Sequence, residues 1–213
     1  SLAEVYKYQT DKDEEYEEAI VAAIDYFEGI SARGEGESGD FLCIKNGRSS
    51  TKCELGTTAL TLLGILSYLA TDPDSSAEYE KLAEDYLAYI MEARLDDRGF
   101  SNKFHTSDGF SDQESSFYNG ESMLALVRYY QYDPQPAIQE TFDEVFTYLA
   151  SVETFETPLY LWMMAALKDS QKLWPNDAYL TYATDFTRQR LDAEKFRRSS
   201  GVNYCAPLEG LAS

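Results

Sequence analysis

Histidine is almost missing from this chain: His105 is the single one in 213 residues, beside three cysteines, Cys43, Cys53 and Cys205. So few imidazole and thiolate donors leave a tetrahedral zinc site without a ligand set. Also absent are a glycine-rich phosphate loop, a His-Glu-x-x-His pair, a nucleophile elbow and a dinucleotide fingerprint, so nothing calls for a metal, a nucleotide or another cofactor. Asp96-Asp97 is an isolated acidic pair and Arg197-Arg198 an isolated basic one. No apolar run reaches the ~18 residues of a membrane-spanning helix; the longest, such as Leu159 to Leu167, are helix-sized and interrupted. Ser1-Leu2-Ala3-Glu4 shows neither the basic nor the apolar region of a secretion signal, which leaves the compartment open between cytoplasm and export with the signal removed. Basic residues are scarce too, 18 Lys and Arg against 38 Asp and Glu, for a formal charge of -20. Nucleic-acid phosphates and anionic bilayers would be repelled over about a Debye length, so neither is an expected partner, and the excess reads as solubility.

Apolar residues, by contrast, are plentiful. They make up 44% of the chain and aromatics 14%, enough for a large core despite the charge. One domain over residues 1–213 is expected. Four segments show three- and four-residue periodicity with a charged face: Glu14 to Ser31, Ser76 to Arg94, Gln135 to Val152, and Asn176 to Asp192. In the second, Tyr79, Leu82, Ala83, Tyr86, Leu87 and Ile90 share one face, and Ser75 or Ser76 can cap the start. Between these lie segments apolar on most faces, Leu55 to Ala70, Glu121 to Tyr132 and Pro158 to Leu167, and a last one starts at Pro207. A helix apolar on most faces must be buried on most faces. The pattern therefore predicts alternating outer and inner helices.

Short turns such as Asp133-Pro134 and Leu173-Trp174-Pro175 lead from inner to outer helices. The outer-to-inner connections, Gly34 through Cys53, Leu95 through Asn119 and Glu194 through Ala206, are longer and rich in glycine, aromatics and acids. One of them, Phe104 to Phe110, reads as two short extended pieces joined by a turn. Cys43 and Cys53 bracket a loop with an Asn-Gly turn signal, where a local disulfide and a pair of free buried thiols are equally compatible with the spacing. Gly56-Thr57-Thr58-Ala59-Leu60-Thr61-Leu62 aligns with Gly120-Glu121-Ser122-Met123-Leu124-Ala125-Leu126, and Pro207-Leu208-Glu209-Gly210-Leu211 is a weaker third copy. The last inner segment stops at Ser213 within two turns, so the domain is expected to be cut short there.

Asp97-Arg98-Gly99-Phe100, followed by Ser115-Ser116-Phe117-Tyr118-Asn119-Gly120-Glu121 through Leu126, carries a family likeness. A Gly-Phe turn after an outer helix, then an aromatic-Gly-Glu start of an inner one, resembles the α/α-toroid superfamily of the six-hairpin glycosidases, the N-acylglucosamine epimerases and related bacterial proteins. The resemblance implies an all-α fold: an incomplete α/α toroid of about four outer-inner hairpins, with short extended pieces in the outer-to-inner connections.

Such toroids bind ligands where the inner helices begin, and unpaired amides and helix dipoles do gather there. The residues expected at that mouth are Glu54, Asn119, Glu121, Tyr160 and Glu209, with Asp108, Asp112 and Glu114 on the longest connection. Glycoside chemistry needs one protonated and one ionised carboxyl group. Glu121 is the first catalytic candidate, with Asp112 or Glu54 as partner, although a first-turn glutamate is also favoured by the dipole alone. Tyr118, Tyr160 and Tyr204 are binding candidates, since a sugar stacks on an aromatic face and a tyrosine tip needs a polar partner. His105 joins them as a titratable group, with the plainer reading of a turn histidine held by Asp108. The expected function is a carbohydrate-active enzyme, a glycoside hydrolase or a sugar epimerase, with a carbohydrate ligand and no cofactor. The rival is a non-catalytic helical-repeat module that binds a glycan, a peptide or a protein.

Overall fold

The computed structural model describes residues 14–71, 77–153 and 155–192. In chain order the described elements are α1 (Glu14–Gly29), β1 (Ser31–Glu35), β2 (Asp40–Ile44), β3 (Lys52–Glu54), α2 (Leu55–Leu69), α3 (Ala77–Glu92), β4 (Lys103–His105), β5 (Gly109–Phe110), α4 (Ser116–Tyr132), α5 (Pro136–Ser151), α6 (Thr157–Leu173) and α7 (Asp177–Leu191). Helices α1, α3, α5 and α7 form an outer layer, and α2, α4 and α6 an inner one. The inner helices pack side by side, α4 between α2 and α6.

Periodicity places the outer faces correctly. Helix α3 buries Leu82, Ala83, Tyr86, Leu87 and Ile90 as its spacing requires, and also Tyr89 and Asp85, the latter held by Lys81 at 2.7 Å. The α3 cap expected at Ser75 or Ser76 lies outside the described residues. Helix α4 is buried without a break from Asn119 to Val127, as its central place in the inner layer demands. Turn chemistry does the rest: Pro136 opens α5 where a missing N–H costs nothing, and the Asn176 side chain accepts from the Ala178 amide at 2.9 Å to cap α7.

Two glycines let the inner helices approach. A Cβ on Gly56 would meet the Tyr118 ring and the Glu121 carboxylate at 2.4 Å, and one on Gly120 would meet Cβ of Trp162 at 2.8 Å and Leu159 at 3.2 Å. Tyr118 and Glu121 on α4 thus stand to Gly56 as Leu159 and Trp162 on α6 stand to Gly120. The repeat seen in the sequence is a repeated helix contact.

The outer-to-inner connections carry the extended pieces. Strands β1 and β2 form an antiparallel hairpin with Ser31 opposite Ile44 and Glu35 opposite Asp40; the Glu37 and Ser38 amides of its turn donate to the Glu92 carboxylate at 2.9 and 2.7 Å. Helix α1 accordingly stops at Gly29 and gives Ser31 to the hairpin. Strands β3, β4 and β5 form a second antiparallel sheet in that order, with β4 and β5 being the two pieces expected around His105 and the turn between them using Gly109 at φ 82°. Phe41, Tyr89, Phe104 and Phe110 pack together between the sheets and α3, Phe41 edge-on to Phe104 at 5.1 Å and Tyr89 stacked on Phe110 at 5.8 Å. Cys43 and Cys53 are disulfide-bonded and fully buried in this region.

One boundary differs with consequences. Helix α4 starts at Ser116, not at Glu121, after an extended Ser115. Serine, tyrosine, asparagine and glycine are weak helix formers, but Asn119 is tied on both sides: its Oδ1 accepts from the Phe100 amide at 2.9 Å and its Nδ2 donates to Glu114 at 3.1 Å. Tertiary bonds override propensity there. Glu121 therefore lies in the second turn, beyond the helix's unpaired amides, and capping does not explain it.

Both ends of the double layer carry mainly apolar grooves. One of about 420 Å³ lies between α1 and α2, lined by Ile20, Ile24, Phe27, Leu60 and Trp162 of α6. Another of about 550 Å³ lies between α6 and α7, lined by Met164, Leu167, Ala183 and Leu180, itself 52% exposed. No helix among the described residues is long and apolar enough to cross a membrane.

Candidate active site at the start of the inner helices

Glu54 closes β3 and immediately precedes α2, in an extended conformation that does not cap the helix. Its carboxylate turns to other partners. Oε1 accepts from Asn46 Nδ2 at 3.0 Å and lies 3.6 Å from Lys52 Nζ, while Oε2 accepts from the Tyr118 hydroxyl at 2.9 Å. The Asn46 bond, with the Tyr118 bond and the Lys52 charge, holds the Glu54 carboxyl below its ordinary range against an opposing effect of partial burial. Glu54 is an ionised carboxylate at neutral pH.

Tyr118 lies half buried on α4 with its ring against Gly56. Burial, then the hydrogen bond and charge of Glu54, push its phenol up to about 12, so it stays a donor. One turn further on, Glu121 is 6% exposed, and its Oε2 has no hydrogen-bond partner among the described residues. Burial pushes its carboxyl up to about 7. The Tyr89 hydroxyl, on α3 and without a hydrogen-bond partner among the described residues, has its phenol pushed up by burial first and by the charge of Glu54 second. The carboxyl group bonded to Tyr118 and the one that shares the Gly56 gap with its ring are thus pushed in opposite directions, Glu54 by hydrogen bonds and Glu121 by desolvation. Such a pair supplies a proton donor and a base at the same pH.

The other expected residues stand elsewhere. Asp112 has its side chain 85% exposed and pairs with Arg98. Asn119 is buried with its amide committed to Phe100 and Glu114, and a Cβ built on Gly99 would lie 2.6 Å from that amide. This explains the Gly-Phe and aromatic-Gly-Glu signature: glycine admits the asparagine, and the asparagine locks the turn to the inner helix. Tyr160 is in the core, its hydroxyl 3.0 Å from Thr187 Oγ1 and its ring edge-on to Phe186. His105 is half buried in β4 opposite Lys52; the Asp108 amide donates to its carbonyl at 3.1 Å, while the Asp108 carboxylate accepts from Ser107. Tyr204, Cys205, Glu209 and the inner segment expected from Pro207 lie outside the described residues.

A polar recess of about 290 Å³ is lined by Glu114, Ser116, Asn119, Tyr148 and Glu156. Its carboxylates are engaged, Glu114 by Asn119 and Tyr148 and Glu156 by Ser116. No group of three or more His, Cys, Asp or Glu side chains among the described residues is placed to hold a metal ion.

Sequence reasoning passed over Asn46 and Tyr89. Asn46 had a signal, since it sits in the loop bracketed by the cysteines. Tyr89 had less, because its position on α3 reads simply as core.

No protein-family model and no curated protein matches the chain. Among solved structures it is similar to a GH76 alpha-mannanase of Bacteroides thetaiotaomicron, with a TM-score of 0.66 and 14% sequence identity over 88% of this chain and 54% of that one. The chain spans about half the length of that neighbour. The likeness establishes the fold, an α/α toroid.

Proposed function

We propose that this chain carries the acid–base site of a carbohydrate-active enzyme of the glycoside hydrolase type. One observation carries the reading: Tyr118 donates to Glu54 and shares the gap over Gly56 with Glu121, and the two carboxyl groups are pushed in opposite directions. Glu121, protonated below about pH 7, is the proton donor to a glycosidic oxygen. Glu54, ionised, is the base or nucleophile, and Tyr118 fixes its orientation. The toroid fold and its likeness to an alpha-mannanase support a glycan as substrate and put α-mannosides first in a substrate panel. The disulfide fits an oxidising compartment.

Turnover of a panel of α-mannooligosaccharides and other neutral glycans tests the reading. A responsive glycan should lose roughly 100-fold or more in kcat/KM with Glu121→Gln or Glu54→Gln. Undiminished turnover in both variants overturns the assignment.

A second reading is favoured by the near-complete enclosure of Glu121, which is 6% exposed. A buried, protonated carboxyl is also a hydrogen-bond donor for a bound sugar hydroxyl in a module that performs no chemistry. Glycan binding by calorimetry, with no product under any condition of the panel, decides for that alternative.

A further inference from the structure

Glu54 is held from two directions, and one of them is a closed loop. Strand β2 ends at Ile44 and β3 begins at Lys52, and the disulfide between Cys43 and Cys53 joins the two strands ten residues apart. Inside the ring so formed, Lys45 bridges to Cys53 in antiparallel fashion, and the Asn46 amide donates to the Lys52 carbonyl at 2.9 Å. The Ser50 amide donates to the Gly47 carbonyl at 3.0 Å, with Gly47 at φ 142°, and Lys45 Nζ donates to the Arg48 carbonyl at 3.0 Å. The Ile44 amide donates to Thr58 Oγ1 at 3.1 Å, which pins the loop's start to the first turn of α2. On the far side of β3, Glu54 is in register with Lys103, and the Leu55 amide donates to the Asn102 carbonyl at 3.1 Å.

Asn46 itself is exposed. Burial does not fix its side chain; the ladder to Lys52 and the covalent tie beside Glu54 do. An asparagine on an untied loop would lose its bond to Glu54 to water, because an exposed hydrogen bond is worth little unless its donor is already in place.

We propose that the Cys43–Cys53 disulfide and the loop it closes are a positioning clasp for Glu54. The clasp sets Asn46 on Oε1, so that Oε2 faces the Tyr118 hydroxyl and the start of α2 is registered on α4. Asn46 and the two cysteines are positioning residues, acting on the reaction through Glu54. This extends the acid–base reading above, but its test does not depend on turnover.

The test is a carbon-detected NMR titration of the side-chain carboxyl groups in the whole chain: the unaltered protein, Asn46→Ala, and the double variant Cys43→Ala with Cys53→Ala. In both variants the Glu54 midpoint should rise toward the 4.5 of an ordinary glutamate, while the Glu121 midpoint stays where it was. An unmoved Glu54 midpoint in folded Asn46→Ala overturns the clasp, whatever the glycan panel shows. If the double cysteine variant does not fold, Asn46→Ala decides alone. A raised midpoint without any glycan turnover upholds the clasp and sinks only the catalytic reading.

Discussion

A Cβ built on Gly56 would lie 2.4 Å from Oε2 of Glu121, closer than real side-chain contacts allow. The carboxyl group of the inner helix α4 is therefore seated in the space where α2 lacks a side chain. Gly56→Ala forces either the carboxylate or the Tyr118 ring to move, and a loss of about 1–3 kcal/mol is expected from such overpacking. Gly64, later in the same helix, meets nothing within 4 Å among the described residues. Gly64→Ala should stabilise by roughly 0.5–1 kcal/mol, the ordinary gain of alanine over glycine inside a helix. Chemical denaturation of both variants checks the contrast; equal effects at the two glycines would refute the seating of Glu121.

Glu121 also makes stability depend on pH in a defined direction. Its folded-state pKa of about 7 exceeds the 4.5 of an ordinary glutamate, so the folded chain holds this proton more tightly than the unfolded chain does. The contribution is complete below 4.5 and is lost as pH rises through 7, at most about 3 kcal/mol in all. Glu121→Gln removes the titration. The variant should melt close to the parent at pH 4.5 and higher than the parent at pH 8, and a Tm difference independent of pH would show that Glu121 is not desolvated.

The layering was readable because helical period reports burial directly, and α2 and α4 are apolar on most faces for the reason that both lie in the inner layer. The start of α4 was not readable: Ser116, Phe117, Tyr118 and Asn119 become helical because Asn119 bonds to Phe100, nineteen residues away, and local propensity contains no trace of that bond. Of the expected residues, Tyr118 reaches Glu54 and meets Glu121 over Gly56, because the first two turns of α4 pack on the start of α2. Asp112 goes to Arg98 and Tyr160 to Thr187 because side-chain direction, which position along the chain does not give, decides partners.

Asn119 tests the tie between the Gly99-Phe100 turn and α4. Truncation to alanine leaves the buried Phe100 amide without its acceptor, and frees Glu114 from one of its two donors. Such an orphaned donor costs about 1–3 kcal/mol. Asn119→Asp keeps the acceptor for Phe100 but sets a charge beside Glu114, so it should rescue part of the loss at pH 4 and little at pH 8. Denaturation at both pH values reads this out, and identical losses for the two variants at pH 4 would mean that the Phe100 bond contributes nothing.

Turnover of any responsive glycan should itself report the two carboxyl groups. With Glu121 as donor, activity falls as pH rises through about 7; with Glu54 as the ionised partner, it falls on the acid side only below the ordinary glutamate value of 4.5. The Tyr118 hydroxyl donates to Glu54 at 2.9 Å and so helps to keep that limb low. Tyr118→Phe should raise the acid limb by about one pH unit or less, because Asn46 still donates to the other oxygen, and should leave the basic limb in place. If the basic limb moves instead, Tyr118 acts on Glu121 rather than on Glu54, and its part in holding Glu54 ionised falls. A flat profile between pH 6 and 8 removes Glu121 from the chemistry altogether.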